Sequence, residues 1–133
     1  MKQVLFCLAL VFLVSGCNLG TSDATPLPTP DIPTIEILSP ANNQQAYEGV
    51  EFDFDIVARD NNPGIARVEL YIDDTLINSS TPVDDESVPV FRTVMNWRAA
   101  GVGRHIIEVI AYRPDGQQSD PARLNIEVLP RDE

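Results

Sequence analysis

The chain has 133 residues, 44% of them hydrophobic and 22% charged, which is enough for one hydrophobic core and too little for two domains of ordinary size. Its formal net charge is −11, because twenty acidic residues outweigh nine basic ones. A surface this acidic repels the phosphate backbone, which argues against nucleic acid as a partner.

Residues 1–16 have the layout of a secretory signal peptide. Lys2 precedes an apolar run from Val4 to Val14, and small residues follow that run. The run is too short to span a bilayer stably. The sequence therefore predicts that the chain is exported.

The segment Val14-Ser15-Gly16-Cys17 ends this leader. It resembles the lipobox of bacterial lipoproteins, in which a dedicated peptidase cuts before the cysteine and the thiol is then acylated. The resemblance implies a cleavage motif at 14–16, a diacylglycerol lipid on Cys17, and anchoring to the cell membrane or outer membrane, outside the cytoplasm. The alternative is an ordinary signal peptide cut near Gly16, which would leave Cys17 as a free thiol.

Residues 17–33 would then be the lipidated cysteine and a linker. Prolines and small polar residues dominate this segment and no hydrophobic periodicity is present, so an extended, unpacked tether is expected. Cys7, the other cysteine, lies in the segment that would be removed, and the mature chain is expected to have no disulfide.

From residue 34 onward, apolar residues recur at every second position, which is the period of half-buried strands. The clearest case is 50–56, where four apolar residues alternate with three acidic ones. Seven strands are predicted in all, within 35–38, 50–56, 68–72, 75–78, 91–97, 107–111 and 124–128. No segment has a sustained helical period, so residues 34–129 are predicted to form an all-β domain, with a tail at 130–133.

Turn-forming residues separate these segments, as in Asp60-Asn61-Asn62-Pro63-Gly64. Seven short strands in a domain of this size favour a seven-stranded antiparallel β-sandwich of the immunoglobulin-like (Ig-like) kind. A five- or six-stranded barrel is the alternative, because alternation alone does not say how the strands are wound.

Several segments within 34–129 resemble the bacterial Ig-like domains of surface proteins and lipoproteins. They are Ile37-Leu38-Ser39-Pro40, residues 64–73, Trp97, and Gly103-Arg104-His105 leading into residues 109–112. Such domains usually have Asp-Gly after the third strand, where this chain has Asp73-Asp74, and Asp also tolerates the left-handed conformation of a tight turn. The resemblance implies adhesion, spacing or display, and no catalysis.

Motifs of hydrolases, phosphate-binding loops and zinc enzymes were not found in the sequence. The sole histidine, His105, begins a strand after a glycine-containing turn, where a cross-strand or turn hydrogen bond is its expected role. We therefore expect a protein without enzymatic activity and without a cofactor other than the covalent lipid.

The B–C, D–E and F–G loops of an Ig-like sandwich gather at one end. Here that end is predicted to be acidic, to adjoin the tether and so to face the membrane. Its candidate calcium ligands are Asp60, Asp84, Asp85, Glu86 and Asp115. Oxygen-rich clusters bind calcium, but the spacing matches no EF-hand, and solvated acidic loops are the alternative interpretation.

Strand parity predicts a second candidate surface, facing away from the core. It consists of Tyr71, Ile106, Ile110 and Tyr112. One interpretation is cross-strand pairing on an exposed sheet face, and the other is a platform for a protein or glycan partner.

Two functions follow from these observations. The preferred one is a cell-surface lipoprotein that displays a non-catalytic Ig-like interaction, adhesion or spacer domain, since this needs only the tether and the fold. The alternative is a carbohydrate- or calcium-dependent ligand-binding module of the envelope.

Overall fold

The computed structural model describes residue 27 and residues 31–132. The predicted cleavage motif at 14–16 and the predicted lipid site Cys17 lie outside the described residues, so both stay predictions. Within the described part of the chain, no helix is long and apolar enough to cross a membrane.

The described residues form eight strands in two sheets. The strands span Thr34–Ser39 (β1), Gln44–Tyr47 (β2), Glu51–Arg59 (β3), Arg67–Ile72 (β4), Thr75–Ser80 (β5), Val90–Arg98 (β6), Gly103–Tyr112 (β7) and Ala122–Leu129 (β8). One sheet has the strand order β1-β3-β6 and the other β2-β8-β7-β4-β5. The predicted all-β sandwich is confirmed.

The alternation of apolar and polar residues explains where the strands form and how they pack. In β3 and β4 the apolar side chains point inward and are buried, while most of their neighbours point to the solvent. The inner faces of the two sheets share one core. Phe52 stacks between Phe54 and Trp97, with ring centroids 6.2 Å apart in each pair.

The structure adds a strand to the seven predicted, and it is not antiparallel. β2 runs parallel to the end of β8, with Gln44 opposite Ile126 and Tyr47 opposite Leu129. Three of its four side chains are exposed, so backbone pairing with β8 rather than burial defines this strand. A short edge strand of this kind leaves no period in the sequence.

The connections between strands lie at two ends of the sandwich, except for residues 40–43, which join β1 to β2 beside β8. The proximal end is defined as residues 31–33, 60–66, 81–89 and 113–121, and the distal end as residues 48–50, 73–74, 99–102 and 130–132. β1 starts at the proximal end, because Thr34 pairs with Arg59 at the end of β3. The predicted tether therefore enters the domain beside the proximal loops.

Candidate functional site

The three proximal loops are joined to one another by backbone hydrogen bonds. The amide of Ile65 donates to the carbonyl of Val88 (2.7 Å) and the amide of Val88 donates back (3.1 Å), which ties loop 60–66 to loop 81–89. The amide of Ala66 donates to the carbonyl of Tyr112 (2.8 Å), where loop 113–121 begins. The predicted gathering of these loops at one end is confirmed.

Arg113 lies buried at the centre of this end. Its Nε donates to Oδ2 of Asp60 (2.9 Å) and its Nη2 to Oδ1 of Asp60 (2.8 Å). The same guanidinium donates to the backbone carbonyl of Asp31 (2.9 Å), to Oδ1 of Asp31 (3.1 Å) and to the side-chain carbonyl of Gln117. We call these four residues the Arg113 clip. The clip joins the end of the tether to two loops.

The clip is held in its charged form. The Arg113 guanidinium, together with the Gly64 amide that donates to Oδ2 (3.0 Å), holds the pKa of Asp60 below its ordinary value despite burial. The Asp60 carboxylate in turn raises the pKa of Arg113. A paired arginine and carboxylate satisfy each other's hydrogen bonds, which a buried charge requires.

The last residues of the predicted tether are packed rather than free. Pro33 is fully buried, and Asp31 binds the guanidinium of Arg113. The expectation of an unpacked tether through residue 33 is therefore wrong for residues 32 and 33, while Asp31 contacts Arg113 but stays exposed. The physical reason is that Arg113 has donors left after it has bound Asp60, and the chain entering β1 supplies their acceptors.

Among the described side chains of the proximal end, the predicted calcium ligands do not form a cluster. Those ligands were Asp60, Asp84, Asp85, Glu86 and Asp115. Asp60 is committed to Arg113, and Oδ1 of Asp115 accepts the amide of Gln117 (3.0 Å) within its own turn. The side chain of Asp85 lies outside the described residues. Among those described, no group of three or more His, Cys, Asp or Glu side chains is placed to hold a metal ion.

The predicted partner surface lies on the outer face of the five-stranded sheet, where two tyrosines surround one carboxylate. The hydroxyl of Tyr71 donates to Oε2 of Glu69 (2.6 Å), and Nε of Arg67 donates to Oε1 (2.8 Å). Hydrogen bonding to Glu69 raises the pKa of Tyr71 above its ordinary value. The Arg67 guanidinium covers the buried ring of Tyr112, 3.9 Å from its centroid. Tyr112 is thus withdrawn from the surface.

The rest of that face is mixed in polarity. Ile106 is 51% exposed and Ile110 is half-buried. Glu108 lies opposite Tyr71 in the register of β4 with β7 and forms an ion pair with Arg123 on β8. Charged side chains therefore separate the apolar ones, as expected of cross-strand pairs that stabilise an exposed sheet.

At the distal end, His105 makes two hydrogen bonds. Its Nδ1 lies 2.6 Å from Oδ2 of Asp73 and its Nε2 lies 2.6 Å from the carbonyl oxygen of Gly101. The ring also packs edge-on against Trp97, with centroids 5.3 Å apart. These contacts are the turn hydrogen bonds that its position in the sequence predicts.

The role of Arg113 was missed by sequence reasoning, although a signal was present. The inward-facing residues of β7 continue as Val109, Ala111 and then Arg113, and those of β3 continue to Asp60. The same parity therefore directs an arginine and an aspartate into the core at one end. Two opposite charges at inward positions predict a buried ion pair.

Residues 33–109 match the family model described as the bacterial Ig domain, and this is more than half of the chain. The chain belongs to the bacterial Ig domain family. The resemblance found in its strands and turns is thereby confirmed. No curated protein is similar to this bacterial Ig domain at the level of sequence.

Solved structures share the fold of this bacterial Ig domain. The fibronectin(III)-like modules of Clostridium thermocellum CbhA match with a TM-score of 0.62 and 29% identity, over 74% of this chain and 47% of that chain. The SrpA adhesin from Streptococcus sanguinis matches at 0.52 and 16% identity, over 78% and 60%. A CARDB domain from Pyrococcus furiosus matches at 0.52 and 13% identity, over 74% and 97%. This chain thus spans about half the length of the first of these proteins.

Proposed function

We propose that this protein is an exported bacterial lipoprotein, anchored through an acyl lipid on Cys17, that displays its Ig domain as a non-catalytic interaction, adhesion or spacer module. The proposal combines the lipobox-like segment at 14–17 with the family of the domain. It places the domain outside the cytoplasm, on the surface of the cell membrane or outer membrane.

The Arg113 clip is the observation that carries this proposal. It joins Asp31, near the end of the tether, to the proximal loops through two charge-assisted hydrogen bonds from one guanidinium, one to the backbone carbonyl and one to the carboxylate. A domain clipped to its tether in this way turns a defined end toward the anchor. The distal end is then directed away from the membrane, toward a partner.

The surfaces left for a partner are the distal end and the outer sheet face. Tyr47, Val50 and Val102 are exposed apolar residues at or next to the distal turns. Single exposed apolar side chains are ordinary on a protein surface. Here they are candidates for partner contact because they lie at the end that the proposal directs away from the membrane. The adhesin with the same fold is consistent with this role, but its low identity supports the fold alone.

Lipid attachment can be tested directly with the full chain. Cells supplied with an alkyne-bearing palmitate analogue should incorporate it into the native chain, since the thiol of Cys17 is the proposed attachment point. The Cys17→Ser variant should incorporate none, whereas the Cys7→Ser variant should match the native chain because Cys7 lies in the removed segment. Label retained by Cys17→Ser, or absent from the native chain, would contradict the proposal.

A glycan-binding module of the envelope is the second candidate function. The observation in its favour is the outer sheet face, where the ring of Tyr71 and the exposed Ile106 flank charged groups that can bind hydroxyls. A glycan array with the Cys17→Ser chain tests it, and Tyr71→Ser should abolish any binding seen. Val94→Ser, on the other sheet, is the matched control. Equal binding by both variants would exclude this face.

A further inference from the structure

His105 stands at the junction of two distal turns. It is the third residue of β7, and the alternation of that strand directs its side chain inward, so that only 15% of it is exposed. Asp73 belongs to the turn between β4 and β5, and Gly101 to the turn between β6 and β7. One imidazole therefore bridges a turn of the five-stranded sheet and the turn that leads out of the three-stranded sheet.

Both partners of the ring are hydrogen-bond acceptors. A neutral imidazole donates through one nitrogen only, whereas an imidazolium donates through both. The carboxylate of Asp73 and the carbonyl of Gly101, each at 2.6 Å, are both satisfied only when His105 carries its second proton. The geometry is that of a charged histidine.

These contacts extend to the neighbouring backbone. Oδ1 of Asp73 accepts the amide of Ile106 (2.9 Å), and the amide of Asp73 donates to the carbonyl of Ile106 (2.9 Å). The amide of Gly101 donates to Oε1 of Glu48 in the turn before β3 (2.9 Å). Three distal turns are thus connected through one proton-dependent group.

We infer that His105 is a proton-dependent latch of the distal end, which holds the β6–β7 turn when it is doubly protonated and releases it on losing one proton. The neutral ring keeps its donor on the Asp73 carboxylate, the stronger acceptor. Its other nitrogen then presents a lone pair to the carbonyl of Gly101, so that this contact becomes repulsive.

The charged groups around the ring favour the proton. Asp73 contacts it from the β4–β5 turn, with Asp74 next in that turn, and Glu127 attracts it from β8. Arg104, the adjacent cation on β7, is paired with Glu127 (3.8 Å). Burial opposes the charge, but the Gly101 carbonyl and the Asp73 carboxylate outweigh it, and the pKa of His105 is raised above its ordinary value.

The raised pKa of His105 makes the stability of the distal end depend on pH. A raised histidine pKa stabilises the fold fully below the unfolded value, about pH 6.5, and this stabilisation is lost as pH rises through the folded pKa. The latch is therefore closed below about pH 6.5 and opens as pH rises through the raised pKa of His105. The outward-facing end would become looser without any change in the core.

The chain provides its own reporter, since it has one tryptophan and one histidine and the two rings are in contact. An imidazolium quenches indole fluorescence. We expect the emission of Trp97 in the Cys17→Ser chain to rise as pH increases, with a midpoint above 6.5. His105→Gln should abolish this transition between about pH 5 and 9, and Asp73→Asn should move its midpoint to lower pH.

Hydrogen exchange supplies the second readout. After correction for the intrinsic rate, the protection of the Gly101 amide should fall across the same midpoint at least tenfold more than that of the Ile107 amide in the core. A midpoint at or below 6.5, or a Gly101 protection factor that does not change, would overturn the latch. Both measurements use unlipidated protein, so their failure leaves the proposed lipid anchor untouched.

Discussion

The guanidinium of Arg113 donates a hydrogen bond to each carboxylate oxygen of Asp60, at 2.9 Å from Nε to Oδ2 and 2.8 Å from Nη2 to Oδ1, and both side chains are buried. The two residues are far apart in the sequence, one following β3 and the other following β7. Their pairing closes the proximal end of the core and leaves the remaining donors of Arg113 to bind the tether. A single ion pair thus contributes both to the fold and to the direction in which the domain is presented.

We predict that Asp60→Asn destabilises the domain strongly, because it leaves the buried guanidinium of Arg113 with no counter-charge except the exposed carboxylate of Asp31. The expected fall in Tm is at least about 10 °C. Asp55→Asn is the matched control, since Asp55 pairs with Arg92 on the exposed face of the other sheet. It should change Tm by a few degrees at most. Similar losses in the two variants, measured by calorimetry, would contradict a special role for the buried pair.

Protonation of Asp60 is predicted to account for part of the loss of domain stability at acidic pH. Arg113 lowers the pKa of Asp60, so the pair stabilises the fold above the unfolded value of about 3.9 and this stabilisation is lost as pH falls through the folded pKa. The unfolding free energy, from urea titrations, should therefore decrease between about pH 4 and 2, and less steeply in Asp60→Asn. Parallel curves for the two chains would show that Asp60 titrates as it does when unfolded.

Substitution of Gly64 is predicted to be costly both because of its positive φ and because a side chain there would meet the backbone of Val88. Its φ is +101°, and a Cβ added there would lie 3.0 Å from the carbonyl oxygen of Val88. Gly116 has a similar φ of +90° but nothing within 4 Å of its Cβ position. Gly116→Ala should cost about 1–2 kcal/mol from backbone strain, and Gly64→Ala distinctly more. Equal losses of unfolding free energy in the two variants would show that the backbone around Val88 moves to accommodate the added methyl group without a measurable penalty.

Truncation of the core should be costly in proportion to burial. Phe54 is fully buried and stacks against Phe52, and Phe54→Ala is expected to lower the unfolding free energy by about 3–5 kcal/mol. Val94, on the neighbouring strand β6, is 63% exposed. Val94→Ala should stay within about 0.5 kcal/mol of the native value in the same urea titration. A small effect of Phe54→Ala would show that the core collapses around the missing ring.

Much of the fold could be predicted because inward-facing residues alternate within single strands. Phe52, Phe54 and Ile56 are buried and the acidic residues between them are not, as the pattern of 50–56 indicates. β2 was not predictable in this way, because its polar side chains contribute nothing to the core and its existence depends on the backbone of β8. Local periodicity is informative about burial and says little about pairing between strands that are distant in sequence.

For the candidate sites, too, the sequence predicted which residues share a face or an end but not which side chains they contact. The sequence placed Tyr71 and Tyr112 on one sheet face, but not the Glu69 carboxylate and Arg67 guanidinium that engage them, since that contact depends on strand register and rotamers. It grouped Asp60 with the acidic loops as a calcium ligand, although its partner is Arg113. Charge alone does not distinguish a solvated carboxylate from one paired in the interior.

The sequence by itself determined the all-β class, the inward and outward residues of the main strands, the bacterial Ig-like resemblance and the prediction of a lipid on Cys17. These are properties of neighbouring residues, which a period of two or a short motif encodes. Only the tertiary structure decided that Arg113 binds both Asp60 and Asp31, and that His105 joins two turns. Such contacts link residues up to 82 positions apart, and their geometry exists only after the sheets have packed.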